Sequence, residues 1–150
     1  MKSLKKIYCD VCTLYRPFDD QDMMRIRLET DAFYLILQAI QNRTYEMIIS
    51  PVHLAEINAI EDVKERYEVL VLLKKVSSSP QYNLPRIRER AEYFYNKKLG
   101  VADATHLAFA EAAADFFISC DDKLIRKCKN LDINMTVMNP VQFTVKEDLK

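Results

Sequence analysis

The sequence predicts an α/β fold of three layers, in which a mostly parallel, Rossmann-like sheet lies between helices, with high helix content. Short apolar runs typical of buried strands alternate along the chain with longer amphipathic stretches. The clearest unit, residues 100–129 (GVADATHLAFAEAAADFFISCDDKLIRKCK), has the pattern of helix, strand, helix. The chain of 150 residues is long enough for one hydrophobic core, so residues 1–150 are predicted to form one domain.

The first half of the chain supplies two predicted strands. Residues 7–10 are a β-rich run, and residues 46–50 form the second strand. Ser50 and Pro51 then form a helix start, with serine as the cap and proline at the first helical position. The other elements predicted here are a loop at 11–21, a helix at 22–42 and a helix at 63–76.

The second half begins with the clearest loop in the chain, residues 77–84 (SSSPQYNL). Gly100 is the only glycine, and it stands where the C-cap of a helix is expected. The other predicted elements are helices at 85–98, near Asp103 and at 122–131, and strands at 115–120 and 135–138, the last followed by Asn139-Pro140.

Composition limits the kind of partner and compartment. Lys+Arg and Asp+Glu each number 22, so any binding of nucleic acid must depend on a local patch or a bound cation. No apolar run is long enough for a membrane span, and Asp10 interrupts the run after the basic start, which argues against a signal peptide. A cytoplasmic protein with reduced cysteines is predicted, and the Cys9-x-x-Cys12 pair is interpreted as packing.

Four acidic residues fall where strands end or where the following helices begin. Asp10 ends the first strand, Asp121 ends the strand at 115–120, Asp103 lies in the first turn of its helix, and Glu56 lies on the helix after Pro51. In a parallel sheet these positions share one edge. Clustered carboxylates suit Mg²⁺ or Mn²⁺, which prefer oxygen ligands and keep several waters. The pattern predicts a site for Mg²⁺, with Mn²⁺ able to replace it.

Each acid taken alone has an ordinary explanation. An aspartate in a first helical turn is usually a cap, one after a strand is usually a turn residue, and Glu56 alone would be a solvated surface residue. Only their joint placement indicates a site. Asp121 and Asp122 both follow the strand: Asp121 is favoured as the metal ligand because it directly follows the strand, and Asp122 better suits the cap of the next helix.

At these residues the chain resembles the PIN-domain nuclease family, and the resemblance covers nearly its whole length. The matching segments are IYCDVCTLYRPFDDQ at 7–21, ISPVHLAEI at 49–57, GVADATHLAFAEAAADFFISCDDKL at 100–124 and VMNPVQF at 137–143. The family's four acidic positions correspond to Asp10, Glu56, Asp103 and Asp121. Ser119 stands where the family often has threonine, so a hydroxyl is kept.

The resemblance implies a function as well as a fold. Family members hydrolyse phosphodiester bonds, usually of RNA, by a metal-activated water. Many small members are similar to the VapC toxins, which form homodimers and are silenced by a small antitoxin protein. Residues Val69, Leu70, Leu72 and Leu73 make their helix more apolar than one face requires, and they are a predicted dimer or antitoxin surface.

Further residues are candidates for contact with substrate, although a solvated or packing role is the common alternative. They are Arg16, His106, Ser119, Lys123 and Arg126. Other functions are a non-toxin RNA-processing or inactive scaffold role and an Mg²⁺-binding receiver-like signalling module. The receiver needs an acid pair directly after the first strand and a lysine after the last. Asp19-Asp20 lies too far along, and Met138-Asn139-Pro140 has no lysine.

Overall fold

A computed structural model describes residues 3–150 of the chain. In this range one sheet of five parallel strands has the order β3-β2-β1-β4-β5. The strands are β1 (Lys5–Cys9), β2 (Tyr45–Ile48), β3 (Ser77–Ser78), β4 (Phe116–Ile118) and β5 (Thr136–Met138). The helices are α1 (Val11–Leu14), α2 (Met24–Gln41), α3 (Pro51–Asn58), α4 (Val63–Val76), α5 (Leu84–Asn96), α6 (Val101–Ala113), α7 (Asp122–Cys128) and α8 (Pro140–Lys146).

The central strand β1 divides the core into two halves. Successive side chains of a strand point to opposite faces of the sheet. Ile7 and Cys9 accordingly pack in a cluster with α2, α4 and α8, whereas Tyr8 packs in a second cluster with α5 and α6. Helices therefore cover both faces of the sheet, as the predicted three-layer fold requires.

The register of β1 brings two strand ends together. Cys9 lies opposite Ile118 of β4, and the N–H of the next residue, Asp10, donates to the carbonyl oxygen of Ile118 at 3.1 Å. Ile7 lies opposite Met47 of β2 on the other side. The residues that follow β1 and β4 are thus neighbours at the edge where these strands end, which we call the carboxyl edge.

Several sequence-based expectations about local structure are wrong. The predicted loop at 11–21 contains α1, which Asp10 caps, and a 3₁₀ turn at Arg16–Phe18. The predicted loop at 77–84 contains the short edge strand β3. A further helix, α8, follows Asn139, whose side chain forms a capping box with Gln142. Other element boundaries shift by a few residues.

Gly100 does not end a helix. It is the N-cap of α6 and has a φ of −64°, which any residue can adopt. The left-handed position after α5 is taken by Lys98, which has a φ of 72°. The turn that a glycine was expected to make is therefore made by a lysine, at some cost in backbone strain.

The apolar residues of α4 that were predicted to form a surface lie partly in the core. Val69 and Leu73 are each only 2% exposed and belong to the core, so they are not a free surface. The exposed apolar side chains of this helix are instead Val63, Tyr67 and Val71. Within residues 3–150, none of the helices combines the length and the apolar character needed to cross a membrane.

Candidate active site

The carboxyl edge gathers the four acids that the sequence singled out. Asp10 follows β1, Asp121 lies just beyond β4, Asp103 is in the first turn of α6, and Glu56 is in the second turn of α3. The charges of Asp121, Asp10 and Glu56 all act on Asp103 and help to raise its pKa. The four carboxylates therefore share one electrostatic environment, although they come from distant parts of the chain.

Of the four acids, Asp103 has the surroundings that least favour its charged form. It is half-buried, and burial is the main reason that its pKa is raised, ahead of the negative charges of Asp121 and Asp10. The nearby His106 acts in the opposite direction but does not cancel these effects. Asp103 thus carries a charge that the metal-free protein disfavours.

Asp10 is held through one of its two carboxylate oxygens. Its Oδ1 accepts a hydrogen bond from the Thr13 N–H at 3.1 Å and lies 2.7 Å from Thr13 Oγ1 and 3.1 Å from Cys12 Sγ. Only 7% of the residue is exposed. The hydrogen bonds from residues 3–150 all fall on Oδ1, so the side chain is fixed while Oδ2 keeps its capacity to bind a ligand.

Asp121 and Asp122 have clearly different surroundings. Asp121, not Asp122, is the N-cap of α7, and its Oδ1 accepts from the N–H groups of Lys123 at 3.0 Å and Leu124 at 3.2 Å. Both oxygens of Asp122 accept from Arg25, at 2.6 Å each, and this pair lowers the pKa of Asp122. The expectation that Asp122 is the cap is therefore wrong. Both carboxylate oxygens of Asp122 are already bonded to Arg25.

Glu56 is held by a histidine. Its Oε1 is hydrogen-bonded to Nε2 of His106, and this bond is the main reason that the pKa of Glu56 is lowered, against the opposing effect of burial. As in Asp10 and Asp121, one carboxylate oxygen is fixed by the protein. His106 is only 3% exposed, so it contacts Glu56 from the interior of the protein.

The chemistry of these donors fits a hard divalent cation, but the arrangement is open. Among residues 3–150, no three histidine, cysteine, aspartate or glutamate side chains lie close enough to form a ready-made metal group. Mg²⁺ is usually bound by one or two carboxylates and completes its shell with water. A site with spaced carboxylates, each keeping one oxygen that the protein does not use, is compatible with that kind of binding.

The predicted substrate contacts divide into buried and exposed residues. Ser119 is completely buried, and its Oγ accepts a hydrogen bond from the N–H of Asp121 at 3.0 Å. This bond orients the backbone of Asp121. Arg16 forms ion pairs with Asp19 at 2.9 Å and with the buried Glu29 at 3.3 Å. Lys123 and Arg126 are exposed on α7 beside Asp121.

Two residues at this edge were missed by the sequence analysis. Arg25 contacts Asp122 across 97 positions of sequence, and Tyr8 contacts His106 across 98. Neither belongs to a local motif, and only the fold brings them to their partners. His53, in contrast, bonds to backbone: its Nδ1 accepts the Ser50 N–H at 3.0 Å, and burial lowers its pKa to about 4.

Comparison with known proteins gives a structural relative. No protein-family model matches the chain, and no curated protein matches it by sequence. Among solved structures, the chain is similar to the crystal structure of FitAcB from Neisseria gonorrhoeae, with a TM-score of 0.52 and 17% sequence identity. The likeness covers 89% of this chain and 97% of that one. It shows the fold alone, and it confirms the predicted α/β architecture with a parallel, Rossmann-like sheet.

Proposed function

We propose that this protein is an endoribonuclease of PIN type that depends on Mg²⁺ or Mn²⁺. The main support is the placement of four carboxylates along the carboxyl edge of a parallel sheet, where the charges of three of them act on the fourth, Asp103. Like charges that share a site disfavour the ionised state unless a cation neutralises them. The similarity of the fold to that of FitAcB is consistent with this proposal.

Asp10, Glu56, Asp103 and Asp121 would hold the cation, directly or through water. Three of them have one oxygen fixed by the protein, by Thr13, by His106 and by the N–H groups at the start of α7. A bound Mg²⁺ or Mn²⁺ would lower the pKa of a water molecule and neutralise charge on a phosphate oxygen. Because no serine or cysteine nucleophile is needed, hydrolysis would form no covalent intermediate.

Lys123 and Arg126 would bind the backbone phosphates of the RNA. Both are exposed on α7, the helix that Asp121 caps. A net charge of zero gives the protein no general attraction to nucleic acid, so binding would depend on local cations at the acidic edge. His106 and Ser119 would orient acids from below instead of contacting RNA.

A toxin role with a protein antitoxin and a homodimeric state is the finer part of the proposal. It is supported by the resemblance of the sequence to the VapC-like toxins and by the small size of the chain. Exposed apolar side chains on α3 and α4 offer a surface for such contacts, namely Leu54, Val63, Tyr67 and Val71.

The direct test is to incubate the purified protein with a pool of structured RNAs in Mg²⁺, in Mn²⁺ or in excess chelator, and to map the new RNA ends. We expect cleavage at defined positions with either metal and none in chelator. Full cleavage in chelator would refute the metal dependence. RNA binding without cleavage under all conditions would favour an inactive scaffold instead.

A further inference from the structure

A chain of buried hydrogen bonds lies beneath Glu56. The Ser50 Oγ is 2.7 Å from the Tyr8 hydroxyl, and this hydroxyl is 2.6 Å from Nδ1 of His106. The opposite nitrogen of the same ring, Nε2, bonds to Glu56 Oε1. Ser50, Tyr8 and His106 are all buried, so the chain leads from the interior of the protein to one carboxylate of the carboxyl edge.

The direction of these bonds follows from what each group can donate. A carboxylate oxygen only accepts, so Nε2 of His106 carries the proton that faces Glu56. In the neutral ring Nδ1 is then an acceptor, and the Tyr8 O–H donates to it. The Ser50 hydroxyl is left to donate to the oxygen of Tyr8. Tyr8 thereby selects the tautomer and the ring orientation that His106 needs to hold Glu56.

Tyr8 is well placed for this purpose because it cannot easily move. It is completely buried in the central strand β1, and its ring stacks on Phe117 of the neighbouring strand, with centroids 5.6 Å apart and an interplanar angle of 17°. The ring of His53 lies 4.4 Å from it on another side. The hydroxyl is thus a fixed point from which the position of His106 is set.

We propose that Tyr8 is a positioning residue, which holds Glu56 through His106 and keeps the second carboxylate oxygen, Oε2, available to a divalent cation. This inference rests on the proposed function, because it takes Glu56 to be a metal ligand. Glu56 is half-buried on α3, and without a bonding partner a glutamate side chain there samples several rotamers. Groups that orient metal ligands in this way typically change metal affinity by 10- to 100-fold when they are removed.

The test uses Tyr8→Phe and the matched control Tyr45→Phe. The partly buried hydroxyl of Tyr45 also donates a hydrogen bond to a glutamate, Glu147, at 2.6 Å, but at the opposite edge of the sheet. Both variants lose one hydroxyl and keep their rings. We expect similar small losses of melting temperature, whereas Mn²⁺ affinity, measured by isothermal titration calorimetry, falls by about 10- to 100-fold only in Tyr8→Phe.

A pair of His106 variants tests the contact through which Tyr8 would act, and it can refute the inference even if Tyr8→Phe does not fold. The amide nitrogen of His106→Gln can replace Nε2 and still donate to Glu56, whereas that of His106→Asn is too short to reach it. We expect Mn²⁺ to bind His106→Gln at least several-fold more tightly than His106→Asn. Equal affinities would overturn the inference.

The outcomes separate this inference from the proposed function. If wild type binds Mn²⁺ and cleaves RNA but Tyr8→Phe binds Mn²⁺ equally well, the role of Tyr8 is refuted and the nuclease stands. If Tyr8→Phe weakens Mn²⁺ binding but wild type cleaves no RNA, the role of Tyr8 stands and the nuclease falls. If wild type binds no Mn²⁺, the inference is refuted together with the metal site.

Discussion

The two edges of the sheet differ in how completely their acidic residues are compensated by neighbouring groups. At the edge where the strands begin, which we call the amino edge, Glu111, Asp115 and Glu147 each contact a partner. The contacts are Glu111 with Arg90 at 2.7 and 3.0 Å, Asp115 with the Lys6 N–H at 2.8 Å, and Glu147 with Tyr45 at 2.6 Å and Lys5 at 3.6 Å. At the carboxyl edge, Asp10 and Asp121 accept hydrogen bonds through one carboxylate oxygen each, and the Asp103 carboxylate has no hydrogen bond or ion pair with any residue from 3 to 150.

The difference separates acids that the fold compensates from acids that, under the proposed function, bind a divalent cation. A paired carboxylate is already compensated, so its loss is felt mainly in stability. Asp103 instead has a pKa raised by burial and by neighbouring carboxylates, which means that folding disfavours its charge. Proteins accept such local conflicts mainly where function requires them. The comparison predicts that changes at the two edges affect different measurements.

The largest effect is expected from Asp103→Asn, which should lower RNA cleavage by at least about 100-fold, since a misplaced cation also misplaces the attacking water. The matched control is Asp115→Asn at the amino edge, where the amide oxygen can still accept the Lys6 N–H. This control should cleave at the wild-type rate in the same assay. Comparable losses in both variants would remove the distinction between the edges.

Metal addition should stabilise the protein through one edge only. A ligand that binds only the native state at 100 times its Kd contributes about 2.7 kcal/mol, which for a chain of this size corresponds to a rise of about 5–10 °C in Tm. We expect this rise in wild type with Mg²⁺, measured by differential scanning calorimetry. Asp121→Asn should lose most of it, although asparagine caps a helix as well as aspartate does.

Asp122→Asn tests the neighbouring acid in the same experiment. It breaks the exposed pair with Arg25, which should cost about 1 kcal/mol or less, and it should leave the response to Mg²⁺ intact. A lost Mg²⁺ response in Asp122→Asn, with a full response in Asp121→Asn, would exchange the roles assigned to these two residues.

Much of the fold could be predicted from the sequence because it follows from local periodicity. The helix at 63–76 was predicted from its apolar spacing with the boundaries that α4 has, and the structure adds Asp62 as its N-cap. Elements without a periodic pattern were missed: β3 has two residues and α1 has four. Gly100 was misjudged because a helix C-cap and an N-cap are both common places for glycine.

For the candidate site, the sequence predicts the placement of the four acids at one edge of the sheet but not their surroundings. Asp10, Glu56, Asp103 and Asp121 were found from their places relative to strands and from the family resemblance. The long-range contacts around them could not be predicted, because those of Tyr8 with His106 and of Arg25 with Asp122 join residues about 100 positions apart. The choice between Asp121 and Asp122 as cap also depends on backbone angles that no pattern specifies.

A smaller effect is expected from the exposed cations of α7. Lys123→Ala and Arg126→Ala should each weaken RNA binding and reduce the slope of log K against log salt by about one counterion. The charge-matched control is Lys146→Ala on α8, whose ammonium lies 5.9 Å from the ring of Phe116 at the amino edge. Fluorescence anisotropy with labelled RNA at several salt concentrations measures the slopes. Equal slopes in all three variants would make α7 an ordinary solvated face.

The smallest effect, and the one that needs no RNA or metal, is the pH dependence of stability in chelator. The pKa of Asp103 is raised in the native state, so between its unfolded pKa of about 3.9 and the higher native value the native protein binds more protons, and stability falls as pH rises. The pKa of Glu56 is lowered, so its contribution to the free energy of unfolding has the opposite sign: it is present above the unfolded pKa and is lost as pH falls through the native value.

In urea unfolding, Asp103→Asn should therefore be more stable than wild type at pH 7 and lose this advantage toward pH 4, where Asp103 becomes protonated in wild type as well. Glu56→Gln should be less stable than wild type at pH 7, and the gap should narrow as pH falls. If Asp103→Asn is less stable than wild type at pH 7, the charge of Asp103 stabilises the metal-free protein. The contrast between the two edges would then depend on geometry alone.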